Sequence, residues 1–143
     1  LAGVTEFLRT KKNAIISCLA DPPGAALFDY YTKGNLCSSG SSITEGIGQG
    51  RITENLKGLE VNYAFKIPDQ ETIDILFSLA KDEGLFLGGS AGVNVAAAIR
   101  LGKTIGPGHC IVTILCDSGT RYLSKLYNPD FLRSKKLEPA DWL

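Results

Sequence analysis

The sequence predicts an α/β layered domain with a mostly parallel, twisted sheet flanked by helices, and three observations carry that expectation. Apolar runs of strand length alternate along the chain with helical stripes. Glycine and proline fall between them. One run, Cys110 to Cys116 (CIVTILC), is apolar almost throughout. Alternation at this spacing is the pattern of βα units, and an uninterrupted apolar strand belongs in the middle of a parallel sheet covered on both faces.

Taken in order, LAGVTEFLRT places Leu1, Val4, Phe7 and Leu8 on one helical face with no capping residue ahead of them. Methionine is absent from the whole chain. Both features lead us to expect a fragment or an excised domain. Ala14 to Ala20 (AIISCLA) is a strand-length run between KKN and DPPG, and AALFDYYTK is a short helix that Gly34 can end. From Asn35 to Arg51 glycine and serine dominate without periodicity, which marks a functional or mobile loop.

Val61 to Ile67 alternates Val61, Tyr63, Phe65 and Ile67 on one face, a strand that Pro68 stops. Asp69 is expected to cap the next helix, whose stripe is Ile73, Leu76, Phe77 and Ala80 and whose end is Glu83-Gly84. Leu85 to Leu87 reads as a short strand, GGSAG as a tight turn, Val93 to Leu101 as a small-residue helix, and Cys110 to Cys116 as a buried strand. The tail from Asn128 reads as a short helix and an extended end on which Trp142 packs. In such sheets ligands bind outside the carboxyl ends of the strands, so the loops after Ala20, Leu87 and Cys116 are the places to look.

Composition narrows the function. Fifteen basic residues balance fifteen acidic ones and are scattered, which gives no electrostatic footprint for nucleic acid or an anionic membrane. The most apolar stretch, residues 85 to 101, is broken by Gly88, Gly89, Gly92, Asn94 and Arg100, so it reads neither as a membrane span nor as a signal sequence. Four cysteines without a C-x-x-C, and a single histidine, provide too few ligands for a metal site. Cys110 and Cys116, in one strand, would stand about 20 Å apart, beyond disulfide reach. Buried free thiols in a reducing, cytoplasmic compartment are the expectation, although an organelle-targeting segment ahead of Leu1 stays compatible with the sequence.

Two chemistries compete for the glycine-rich segments. Gly88-Gly89-Ser90-Ala91-Gly92 matches G-x-S-x-G between a strand and a helix, the place of a hydrolase nucleophile. A triad needs a histidine in contact, and the only one, His109, precedes the strand 110–116 while Asp117 follows it, about 25 Å away. The order Ser, His, Asp also departs from the hydrolase order. A packing turn is therefore the expectation for Ser90.

The second reading rests on three segments together: EGIGQG at 45–50, LGGSAGVNVAAA at 87–98 and CDSGTRYLSKLYN at 116–128. In order and spacing they resemble, over essentially the whole chain, the second half of the cysteine synthase and cystathionine β-synthase family, the fold-type II pyridoxal-phosphate enzymes. The opening LAGVTEFLR is similar to the helix that follows that family's GTGGT phosphate loop. The resemblance implies the tryptophan synthase β-like fold and pyridoxal 5'-phosphate as cofactor.

By the same resemblance Ser118 meets the pyridine nitrogen of that cofactor, and Gly46 brings backbone close to the ring and the bound amino acid. Asp117 is expected to point elsewhere. Gly48 and Gly50 are expected to give the loop mobility without contacts. Ala91 stands where the family usually has serine. The implied reaction is β-replacement, making L-cysteine from O-acetylserine and sulfide. Cystathionine β-synthase or related β-elimination chemistry, or a catalytically silent scaffold member, are alternatives. The Schiff-base lysine matches none of the lysines present, so no catalytic residue is assigned. The implied partners are a small amino-acid substrate and a second copy of the full-length protein in a homodimer.

Overall fold

A computed structural model describes residues 1–143. The elements follow the order α1 (Ala2–Lys11), β1 (Cys18–Asp21), α2 (Leu27–Lys33), β2 (Tyr63–Lys66), α3 (Asp69–Asp82), α4 (Gly89–Ile105) and α5 (Pro129–Ser134), with 3-10 turns at Glu54–Leu56 and Gly119–Tyr122. β1 and β2 pair in parallel, Cys18 opposite Tyr63 and Asp21 opposite Lys66. A parallel pair needs a long crossover. Here α2 and the glycine-rich loop supply it.

Local chemistry sets most element ends. Gly34 closes α2 in the left-handed conformation, φ 74°, a region that only glycine enters freely. Asn128 caps α5, its side-chain oxygen accepting from the amides of Asp130 and Phe131, and Pro129 opens the helix where no amide is needed. α3 departs from expectation by one residue: Pro68 is the N-cap and Asp69 lies inside the first turn. The Asp69 carboxylate instead accepts from the amide of Ile43 at 2.9 Å and from the hydroxyl of Ser42. It fastens the glycine-rich loop to the start of α3.

The GGSAG segment is not a separate turn. Gly88, at φ −83° and ψ 169°, is the N-cap of α4, and Gly89 to Gly92 form its first turn. Close packing explains the small residues: a Cβ on Gly92 would stand 2.9 Å from Leu76 Cγ, Thr72 Cγ2 and the Thr72 carbonyl. α3 and α4 thus meet nearly backbone to backbone. Arg100 and Glu71 clamp the same pair of helices through two hydrogen bonds. One apolar cluster joins Ile73, Leu76 and Phe77 of α3 to Tyr122, Leu126, Tyr127 and Leu132. A second joins Ile67 to Val93, Ala96 and Ala97 of α4.

The expected strand 110–116 is the main disagreement. These residues take no regular structure and all are exposed, with Val112 at 84% and Ile114 at 66%. The sheet has two strands, and neither pairs with this segment. Without a ladder partner, β-branched residues alone do not make a strand. The segment is held to α4 from one side, where Asn94 donates to the Ile114 carbonyl at 3.0 Å. Leu85 to Leu87 likewise reaches only a single antiparallel bridge, Leu87 to Ser118.

The loop from 35 to 51 has no regular element yet is tied down at several points. Gly24 donates to Ser39 at 2.9 Å and Ala26 to Gln49 at 2.8 Å. The tail folds back on α3: Glu138 and Gln70 exchange two hydrogen bonds, and the Trp142 ring stands edge-on to Phe77 with centroids 5.6 Å apart. No helix is long and apolar enough to cross a membrane.

Candidate functional site

Two chain segments close into one corner beside Ser118. Gly88 donates its amide to the Asp117 carbonyl at 3.0 Å, and Gly119 donates to Phe86 at 3.0 Å. The Tyr127 hydroxyl donates to the Leu87 carbonyl at 2.6 Å. Glycine is required at 119, because a Cβ there would stand 2.9 Å from the Tyr127 ring and 3.0 Å from the Leu87 carbonyl. The motif letters around Ser118 thus have packing reasons. They fix where its side chain starts.

Ser118 is exposed, with extended backbone, and it caps the 3-10 turn that follows. Its Oγ accepts from the Thr120 amide at 3.3 Å and lies 3.1 Å from Thr120 Oγ1. A hydroxyl that accepts from a backbone amide keeps its own proton for another partner. Ser118 is an exposed neutral hydroxyl whose proton can go to Thr120 Oγ1 or to an acceptor on the open side.

Asp117 turns the other way. Its Oδ2 accepts from the Tyr122 phenol at 2.7 Å, and its Oδ1 is buried without a hydrogen-bond partner. Gly88 makes the room: a Cβ there would lie 2.1 Å from Asp117 Oδ1. The hydrogen bond to Asp117, with burial and the negative carboxylate behind it, pushes the Tyr122 phenol above its ordinary pKa, so the proton stays on the phenol at neutral pH. The expectation that Asp117 points away from the Ser118 side agrees with this geometry.

Gly46 is exposed at φ 75°, in the left-handed region that a side chain rarely enters, and beyond its two chain neighbours no atom lies within 4 Å of the place its Cβ would take. The backbone here borders free space. Neighbouring residues bring the loop to the corner: Glu45 pairs with Lys125, and Thr44 Cγ2 sits 2.9 Å from where a Gly89 Cβ would be. Gly48 differs from its expected role as a source of mobility. At φ 93°, its missing Cβ would meet Ala25 Cβ at 2.9 Å and Pro22 Cγ at 3.1 Å, so it is a packing glycine. Ala91 is fully buried in the first turn of α4, with no path to the open side of the corner.

The hydrolytic constellation does not assemble. Ser90 is buried in the first turn of α4, whereas His109 is exposed beyond Gly106 at the other end of a 17-residue helix, a span of about 25 Å. Asp117 is committed to Tyr122. Sequence reasoning overlooked Tyr122, Tyr127 and the Glu45–Lys125 pair. The tyrosines lay in the quoted segment CDSGTRYLSKLYN, but spacing alone gives no sign of which way a phenol points. Two surface clefts, of about 390 Å³ beside α1 and about 920 Å³ between α3 and the tail, include neither Gly46 nor Ser118.

No protein-family model matches the chain. Among curated proteins it is similar to cysteine synthase 2 of Schizosaccharomyces pombe, with 39% identity across 97% of this chain, and to cysteine synthase 1 of Emericella nidulans, with 42% identity across 98% of it. The chain spans about two fifths of the length of these relatives, 38% and 39%. Among solved structures, the O-acetylserine dependent cystathionine beta-synthase from Helicobacter pylori superposes with a TM-score of 0.75 at 30% identity, over 87% of this chain and 38% of that one.

Proposed function

The chain belongs to the cysteine synthase and cystathionine β-synthase family, and from that premise we propose that it forms the C-terminal part of the catalytic domain of a pyridoxal-phosphate enzyme that makes L-cysteine from O-acetylserine and sulfide. The observation that carries this reading is the Ser118 hydroxyl, neutral and exposed at the corner while the neighbouring carboxylate is turned inward. Those features fit the cofactor's pyridine ring. When bound, pyridoxal phosphate supplies an electron sink for the carbanion left after loss of the substrate α-proton.

In this reading Ser118 donates a hydrogen bond to the ring nitrogen without protonating it, which keeps the sink mild and favours expulsion of a β-substituent over transamination. Gly46 presents bare backbone to the ring edge and to the amino acid, where a Cβ would take up the free space. Gly119 and Tyr127 hold the Ser118 backbone in place. The Schiff-base lysine, the α-proton base and the phosphate loop belong to other parts of the polypeptide. We take the full-length protein to be a cytoplasmic homodimer acting on a small amino-acid substrate.

The test is an assay of the cofactor-loaded full-length protein with O-acetylserine and sulfide, run beside serine and homocysteine. Cysteine formed from the first pair supports the reading. Turnover of the second pair alone favours cystathionine synthesis, and a protein that loads cofactor but turns over neither pair is the silent scaffold.

A further inference from the structure

We infer that Tyr122 is a positioning residue that keeps the Asp117 carboxylate out of the cofactor corner, leaving the neutral Ser118 hydroxyl alone at the pyridine nitrogen. The inference rests on the reading of Ser118 given above. Asp117 immediately precedes Ser118, at a bend and not within a strand. Regular alternation of faces therefore does not by itself hold its side chain away from the ring. A carboxylate at the ring nitrogen would favour the protonated pyridinium and convert a mild electron sink into a strong one. The choice between the two chemistries lies in one side-chain direction.

Three features bear on that direction, two holding the carboxylate inward and one opposing it. The Tyr122 phenol, itself buried at 9% exposure, donates to Asp117 Oδ2 at 2.7 Å. Gly88 leaves a recess that a single methyl group would fill, its Cβ position being 2.1 Å from Oδ1. The third is the cost of the arrangement. Oδ1 is buried with no partner, a state that disfavours the inward carboxylate, so the phenol's hydrogen bond is what holds it there. Arg121 and Glu45 are the other charged groups near the phenol, and neither bonds to Asp117.

The test is the 15N chemical shift of the ring nitrogen in full-length protein loaded with 15N-labelled pyridoxal phosphate. Wild type is expected to show an unprotonated, hydrogen-bonded pyridine. Tyr122→Phe is expected to move the signal upfield toward pyridinium, and the double variant Tyr122→Phe/Asp117→Asn to return it to the wild-type position. Asp117→Asn alone, which keeps the shape of the side chain, is expected to leave the shift unchanged. An unmoved signal in Tyr122→Phe, a double variant that keeps the upfield shift, or a shift in Asp117→Asn alone would each overturn the inference. Ser118→Ala separates this from the parent reading: a ring nitrogen indifferent to Ser118→Ala means that Ser118 does not touch the ring.

Discussion

The Tyr127 hydroxyl donates to the Leu87 carbonyl at 2.6 Å, while its ring lies edge-on to Phe77 and tilted against Phe86 at 4.3 Å. One side chain thereby joins the core on α3 to the two segments that form the Ser118 corner. Burial pushes its phenol above the ordinary tyrosine pKa, so it remains a donor through the neutral range. Tyr127→Phe keeps the packing and leaves a carbonyl without its partner, which should cost about 1–3 kcal/mol in urea unfolding. An unchanged midpoint would mean that the hydrogen bond does not support the corner.

Gly92 sets the α3–α4 distance, since its missing Cβ would stand 2.9 Å from Thr72 and Leu76. Alanine is the better helix former, so on an open helix Gly92→Ala would stabilise. Here overpacking against the Thr72 backbone should win, and we expect a loss of about 1–3 kcal/mol in the same unfolding measurement. A gain would show that the helices separate without cost.

Burial pushes the Cys18 thiol up to about 11, whereas Cys37, Cys110 and Cys116 are exposed, against the expectation of buried thiols. The thiolate is the reactive form. Iodoacetamide at pH 8, followed by peptide mapping, should modify the three exposed cysteines well before Cys18, and urea should abolish the difference. Labelling of Cys18 in step with the others in the folded protein would contradict the placement of β1.

Ser90 should be inert toward a fluorophosphonate probe, because it is buried at one end of α4 and the sole histidine lies beyond the other. Stoichiometric labelling at Ser90 would revive the hydrolytic reading.

How much of this was legible in the sequence depends on what each element needs from its surroundings. α3 carries its own instructions, an apolar stripe and a glycine just past its end, and it appears as expected apart from the cap moving to Pro68. The parallel pairing of β1 and β2 follows from two short apolar runs with a crossover between them. Residues 110–116 fail as a strand because a strand is a property of pairs, and periodicity cannot say whether a neighbour is at hand. The GGSAG turn was misread because glycine signals a break more often than the start of a closely packed helix. At the candidate site, Ser118 and Gly46 are named by the family resemblance, and the structure places both on the exposed surface. The Asp117–Tyr122 hydrogen bond depends on a side-chain direction that no motif records.

The central claim is that Ser118 presents a neutral donor to the pyridine nitrogen, and the most direct measurement is the visible absorption spectrum and turnover of cofactor-loaded full-length Ser118→Asp, with Ser118→Ala beside it. One neutral hydrogen bond contributes about 0.5–1.5 kcal/mol, so Ser118→Ala should keep its cofactor. Ser118→Asp should protonate the ring nitrogen, shift the absorption band and slow release of the β-substituent. A Ser118→Asp protein with the wild-type spectrum and the wild-type rate would contradict the account, since the residue could then have no contact with the ring.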